Sequence, residues 1–392
     1  MSTDKPTDPQ PIPPAQTWWQ AYRPLVVWVV VTIVMSIAGA IGGWESKPTP
    51  PPVFVEVEKP APFPNLEEFA QYTPTQGWHR DDAQIEANRD EEKTLHFHNT
   101  PAGKAVMGDD DVFLWQAVRK VNNKGPPWYP NVNQGSVGCC VGAGFKHAAD
   151  VVQAVQILGG SKEQWKPLSV EVIYGASRVD VGGGRISGDG SVGAWAAKAV
   201  QTVGAAPMEK IGGVDLTTFS PARAREYGRT GVPSAVKDVA KAHPVKGAAL
   251  VTSWADVKRS IGQGYPVAVC SDQGFTMERD ATGRCRPQGN WSHCMMICAA
   301  RTAKDGRAEG GFILNSWGDQ AHTGPVWPAD APVAGFWADA DVIGRMVKQG
   351  DSFALSGFSG FEKRVIPLNW DVRATPKRDP IDVFADRFAL AP

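Results

Sequence analysis

The sequence predicts an α+β fold, with a helical half followed by an antiparallel-sheet half, carried behind an N-terminal transmembrane helix. Three observations predict it. Residues 24–44 contain no charge. The helices expected before residue 205 make a helical half. The period-two runs, Tyr265 to Cys270, 293–299 and 310–315, come after it.

The uncharged run from Pro24 to Trp44 is bounded by Arg23 and Glu45. As a helix rising about 1.5 Å per residue it spans roughly 30 Å, the hydrocarbon thickness of a bilayer. Trp18, Trp19 and Tyr22 flank one side and Trp44 ends the other, where amphipathic rings prefer the headgroup level. A cleaved signal peptide over 24–40 is the competing reading, because Ala38-Gly39-Ala40 has the form of a cleavage site. Either reading exports the bulk of the chain, and Arg23 favours an inside N-terminus. Of 32 prolines, 13 fall in residues 1–64, so that stretch is no ordinary packed domain. The expected organisation is a short tail (1–23), the membrane helix (24–44) and a Pro-rich stalk of extended geometry (45–64). A polar spacer or prosegment-like region (65–124), the main folded domain (125–363) and a C-terminal tail (364–392) follow.

Hydrophobic residues make up 42% of the 392, which excludes wholesale disorder. A net charge of -1 gives no support to nucleic-acid binding by counterion release. Six cysteines in so long a chain do not form a disulfide scaffold. In the spacer, His96-Phe97-His98 would put two imidazoles on one side of a strand. No neighbouring Cys or carboxylate completes a ligand set there, so no metal and no cofactor are expected. Val112 to Val121 reads as a short helix.

Chemistry concentrates in Asn133-Gln134-Gly135-Ser136-Val137-Gly138-Cys139-Cys140. Val141, Phe145, Ala148, Val152 and Val155 then mark one face of a helix that Gly159-Gly160 stops. A Gly-rich loop thus delivers a cysteine to a helix N-terminus, where the dipole and free N–H groups favour thiolate over thiol. Helices are also expected over 170–179, 192–203, 254–261 (N-capped by Ser253) and 339–348.

The loop resembles the active-site loop of papain-like cysteine peptidases, with Gln134 and Cys140 at the family spacing. Trp291-Ser292-His293-Cys294 is similar to the strand that begins with the family's catalytic His, and Asn315-Ser316-Trp317-Gly318 to its Asn-Ser-Trp-Gly segment. The resemblance covers roughly 125–363 and implies a papain-like two-subdomain fold with a cleft between the halves. It implies Cys140 as nucleophile, His293 as its proton partner and Asn315 as the residue orienting the ring. Gln134 and the Cys140 backbone N–H would hold the oxyanion, and Trp317 would shield the site. Gly188, Asp189 and Gly190 would lend backbone hydrogen bonds to an extended polypeptide substrate. The sequence departs from the family pattern at Val137, Val141 and Ser292, which affects cleft shape more than catalytic atoms. Cys139 reads as a small filler, or as half of a vicinal disulfide with Cys140; Cys294 and Cys298 read as core. A Cys270–Cys285 bridge stays open.

The expected function is a membrane-anchored thiol hydrolase, a peptidase acting through a Cys–His ion pair and an acyl-enzyme. A catalytically silent binding module with the same cleft and a thiol acyl or amide transferase are the alternatives.

Overall fold

The computed structural model describes residues 77–122, 129–243, 245–357 and 360–364. The expected tail (1–23), membrane helix (24–44), stalk (45–64) and, apart from Arg364, the C-terminal tail lie outside the described residues. Among the described residues no helix is long and apolar enough to cross a membrane.

The chain runs α1 (Asp82–Arg89), β1 (Val112–Phe113), α2 (Trp115–Asn122), α3 (Cys140–Leu158) and α4 (Val170–Gly175). Then come α5 (Gly193–Thr202), a short hairpin β2 (Lys210–Ile211) and β3 (Val214–Asp215), α6 (Pro221–Thr230) and α7 (Ser234–Ala240). The second half is β4 (Gly247–Leu250), α8 (Trp254–Gly262), β5 (Val267–Phe275), β6 (Pro287–Arg301) and β7 (Gly310–Leu314). It closes with β8 (Gly335–Asp339), α9 (Ala340–Val347) and β9 (Phe353–Ser356). One sheet follows the order β4-β9-β5-β6-β7-β8, with β1 also paired to β6, and every ladder in it is antiparallel.

α3 sits where helices and sheet meet and is buried from Cys140 to Val155. It lies so close to β6 that a Cβ on Gly144 would stand 2.8 Å from Cys294 Sγ, so this position must be glycine. One turn on, Lys146 and Asp150 form an ion pair at 2.7 Å with both side chains fully buried. Lys146 Nζ also donates to the Pro130 carbonyl, and Asp150 accepts from the Leu168 amide.

Most expected helices form at or near their expected bounds. Ser253 caps α8 by accepting from the Asp256 amide, as its position before an apolar run predicts. The helix expected over 170–179 stops being α at Gly175 and widens into a π turn, Ala176–Val181. The helix expected from Val112 begins only at Trp115, because Val112 and Phe113 instead pair with Ala300 and Ala299.

The polar spacer is corrected by the structure. Residues 77–122 are woven into the domain through β1 on β6, through the His96–Leu250 bridge, and through Phe97 and Trp115, which are fully buried. Arg80, Asp82, Glu91, Glu92, Asp109 and Asp110 are exposed, while isolated apolar residues between them fill the core.

Burial also fixes how stability responds to acid. It lowers His147 well below its ordinary range, His293 to about 4 and His322 to about 3. It raises Asp150 to about 6 and Asp351 to about 7. As pH falls from about 6.5 to 4, unfolded histidines take up protons that the folded ones refuse, whereas the two folded carboxyls already hold theirs. Three histidines outweigh two carboxyls, so unfolding takes up protons on balance and stability falls as the pH is lowered through this range. Denaturant midpoints at neutral and mildly acidic pH check this, and His147→Phe should flatten the slope.

Candidate active site

Cys140 is the first residue of α3, with Cys139 as its N-cap. The two cysteines are free and part company: Cys140 enters the main core, whereas Cys139 packs with Val132, Val137, Ala143 and Val170 in a separate cluster. The vicinal disulfide and the Cys270–Cys285 bridge are not formed. His293 lies on β6 opposite Ser271, and Asn315 follows β7 directly.

A continuous hydrogen-bond network sets the ring of His293. Its Nε2 lies 2.9 Å from Asn315 Oδ1. The same oxygen accepts from the Ser316 amide at 2.7 Å, and Asn315 Nδ2 lies 3.1 Å from His322 Nε2. An amide nitrogen only donates, so His322 Nε2 accepts and His322 Nδ1 carries the proton toward Cys285 Sγ, 3.7 Å away. The Asn315 oxygen is thereby fixed toward His293, whose Nε2 carries hydrogen and whose Nδ1 keeps a lone pair. Trp317 stacks on the imidazole at 4.7 Å and 28°, with Trp291 edge-on to Trp317 at 4.6 Å.

Gln134 joins the two halves. Its amide nitrogen donates to the Val137 carbonyl at 2.8 Å, and its oxygen accepts from Ser316 Oγ at 2.6 Å. One of its two N–H groups is therefore committed to the loop, which leaves the other for an oxyanion. The loop carrying it bridges to the other wall where Asn133 pairs with Trp317.

The cleft is closed by the chain itself. A Cβ on Gly77 would stand 2.4 Å from Cys140 Sγ, so the Gly77 backbone lies on the sulfur. The Gly77 and Trp78 amides both donate to the Ser292 carbonyl, at 3.3 and 3.0 Å. Ser292 has φ 40°, a strained left-handed conformation, and the β5–β6 register shifts just beyond it. On the other wall His79 N donates to Ser191 O at 2.8 Å, and Ser191 N donates to Gly77 O at 3.0 Å. Trp78 is 3% exposed, and its indole N–H donates to Asp351 Oδ2 at 2.8 Å. Asp351 also accepts from the Gly193 and Ala194 amides at the start of α5, so one carboxylate caps a helix and holds the plug.

The Gly-rich loop is thus engaged, but not evenly. The Asp189 carbonyl lies 2.9 Å from His79 Nε2, and a Cβ on Gly190 would strike that ring at 2.2 Å. The Asp189 carboxylate turns away from the cleft, accepting from the Gly138 amide and from Arg225, which also donates to Ser136 O. It acts as a strut under the nucleophile loop. Gly188, at φ 78°, lines the open groove beside Tyr174 and Arg178.

The charge state differs from the expected ion pair. Burial pushes the Cys140 thiol well up, the neighbouring Cys294 thiol adds to this, and hydrogen bonds from the Cys294 and Val141 amides oppose it. Burial likewise pushes His293 down to about 4 against the pull of Asn315. Burial thus favours the neutral thiol and the neutral imidazole and works against the helix N-terminus.

Sequence reasoning missed His322, Ser316, Trp78 and Asp351. It also missed that Glu91 stands beside His96 and His98, at 3.8 and 3.4 Å, supplying the carboxylate thought absent.

A scan of family models and a search of curated proteins return no match. Solved structures of similar course include xylellain, a cysteine protease from Xylella fastidiosa, at 15% identity and TM-score 0.47, covering 71% of this chain and 95% of that one. The ragweed pollen allergen Amb a 11, a cysteine protease in its proform, gives 15% and 0.48 over 75% of this chain and 76% of its own. Bromelain from Ananas comosus gives 13% and 0.40, covering 64% and 99%. The chain itself has a helical half and an antiparallel half, with Cys140 opening α3 and His293 and Asn315 on β6 and directly after β7.

Proposed function

We propose that this protein is a thiol hydrolase that cuts polypeptides, tethered to a membrane through residues 24–44 with its catalytic domain on the extracytoplasmic side, and held closed by its own residues 77–79. One observation carries the choice of substrate. The groove beside Cys140 already binds an extended backbone, pairing Gly77 to His79 with Ser191 on one wall and Ser292 on the other. A surface that satisfies consecutive peptide N–H and C=O groups recognises polypeptide irrespective of sequence, with side-chain specificity left to flanking pockets.

Once the plug leaves, water reaches the sulfur and the imidazole, and the desolvation that keeps both neutral is relieved. His293 Nδ1 then takes the thiol proton, the thiolate attacks the carbonyl, and the second Gln134 N–H with the Cys140 amide holds the oxyanion. His293 returns the proton to the leaving amine, and water hydrolyses the acyl-enzyme. Asn315 and Trp317 keep the ring in place throughout.

The test is labelling of the full-length chain by a thiol-directed covalent peptide inhibitor, paired with activity profiling on a peptide library. Labelling lost in Cys140→Ala and kept in Cys139→Ala, with turnover lost in His293→Ala, supports the enzyme. A chain that binds peptides yet is never labelled, even with the plug weakened, is the silent binding module that the neutral closed site also fits. Product analysis separates hydrolysis from acyl transfer.

His322→Phe should lower kcat by on the order of tenfold with little change in KM, because the Asn315 amide is then free to turn its oxygen from His293. His322→Gln, which keeps an acceptor there, should recover part of the loss. Equal kcat in His322→Phe and the parent would refute the positioning role.

A further inference from the structure

Outside the cleft, the turn after α1 gathers Glu91, His96 and His98. His96 is held at the sheet edge by its bridge to Leu250, and its side chain is 6% exposed. Its Nε2 lies 2.9 Å from the Asn88 carbonyl. A carbonyl only accepts, so Nε2 carries a proton and, in the neutral ring, Nδ1 is a bare lone pair. That buried Nδ1 has no hydrogen-bond partner, and it faces Glu91 Oε1 at 3.8 Å. The same oxygen is 3.4 Å from His98 Nε2, and the three ligand atoms all lie within 4.8 Å of one another. The other Glu91 oxygen accepts from Asn99 Nδ2 at 2.7 Å, a bond that holds the carboxyl below its usual range.

A lone pair aimed at a carboxylate repels it unless a cation stands between them. We propose that Glu91, His96 and His98 bind a divalent transition cation of the zinc class. Two imidazoles and a carboxylate suit zinc, cobalt or nickel and not calcium or magnesium, which prefer all-oxygen shells. Metal–ligand bonds of about 2.0–2.1 Å in a tetrahedron put ligand atoms roughly 3.3 Å apart. The separations of 3.4 and 3.8 Å from Glu91 are near this value, and the two imidazole nitrogens, within 4.8 Å of each other, close on the ion by small side-chain rotations. The supporting contacts are those that ligating groups require: the Asn88 carbonyl fixes the His96 tautomer, and Asn99 orients Glu91. His98 and Glu91 are 38% and 54% exposed, so the ion enters from solvent and water completes its shell. The site sits on the arm that delivers Trp78. Asn88, which fixes His96, also donates to the Gly350 carbonyl, next to Asp351. Its role is to clip that arm, and it is independent of the thiol chemistry.

The experiment is cobalt(II) titration of the full-length chain carrying Cys140→Ala, followed by visible absorption, with zinc-dependent melting as a second reading. The expected result is one saturable equivalent whose spectrum shows nitrogen and oxygen ligation without sulfur-to-cobalt charge transfer. Zinc should raise the melting temperature of the same protein. His98→Ala and Glu91→Gln, both at exposed side chains, should leave metal-free melting unchanged, weaken binding by more than about tenfold and abolish the zinc effect. His243→Ala should bind like the parent. No saturable band, a sulfur-ligated spectrum, or undiminished binding in His98→Ala overturns the proposal and leaves a proton alone between His96 and Glu91.

Discussion

Trp78→Ala should raise the rate at which a thiol-directed inhibitor captures Cys140 by at least about tenfold. The indole is buried and hydrogen-bonded to Asp351 273 residues away, so it is the anchor of the closing segment. Truncating a buried tryptophan costs about 3–5 kcal/mol. Here much of that falls on the closed arrangement alone, because with the segment released the side chain at position 78 is in water in either protein and loses no packing. Transfer of only about 1.4 kcal/mol to the open–closed equilibrium is a tenfold gain in reactive sulfur. Labelling kinetics with Cys140→Ala as the blank measure it. Identical rates for parent and Trp78→Ala would mean that the segment does not control access. Asp351→Asn separates the anchor from its partner: it keeps an acceptor oxygen for the indole but gives up the charge at the start of α5.

Lys146→Ala should destabilise the domain by about 3–5 kcal/mol, the usual cost of leaving one member of a buried ion pair without its counter-charge. Both side chains are wholly inaccessible, and burial already lifts Asp150 to about 6 with Lys146 pulling the other way. Without the ammonium, Asp150 must bury an uncompensated charge or hold a proton at neutral pH. The double change Lys146→Met with Asp150→Leu should lose far less than Lys146→Ala, since no charge is stranded. Denaturant unfolding of the parent, Lys146→Met, Asp150→Leu and the double variant forms a cycle, and a double variant as unstable as Lys146→Ala would contradict the ion-pair account.

What could be read from the sequence was what short range determines. α3 begins at Cys140 because a glycine-rich loop hands over to an apolar stripe of helical period, and Ser253 announces α8. β6 and β7 carry dense apolar runs and were visible, whereas β4 reads Gly-Ala-Ala-Leu and gives no strand signal. The residues that matter and were missed act across the chain. Trp78 and Asp351, Ser316 and Gln134, and His322 and Asn315 meet only once the two halves pack. Glu91 meets His98 through a turn whose path neighbouring residues do not specify. The thiolate expected at Cys140 failed for a related reason. A local argument from the helix terminus cannot foresee that Gly77, 63 positions earlier, comes to rest on the sulfur.

The route of the chain around β1 has a further consequence. Because Val112 and Phe113 are sewn into the sheet beside Ala299 and Ala300, the arm from Asp82 onward has no easy way to detach. The plug does: it ends at His79, and Arg80 beyond it is exposed. A single scission at Arg80 would leave residues 77–79 held to the folded body only by their hydrogen bonds and the buried Trp78 side chain, and would sever that body from the residues that precede the cut.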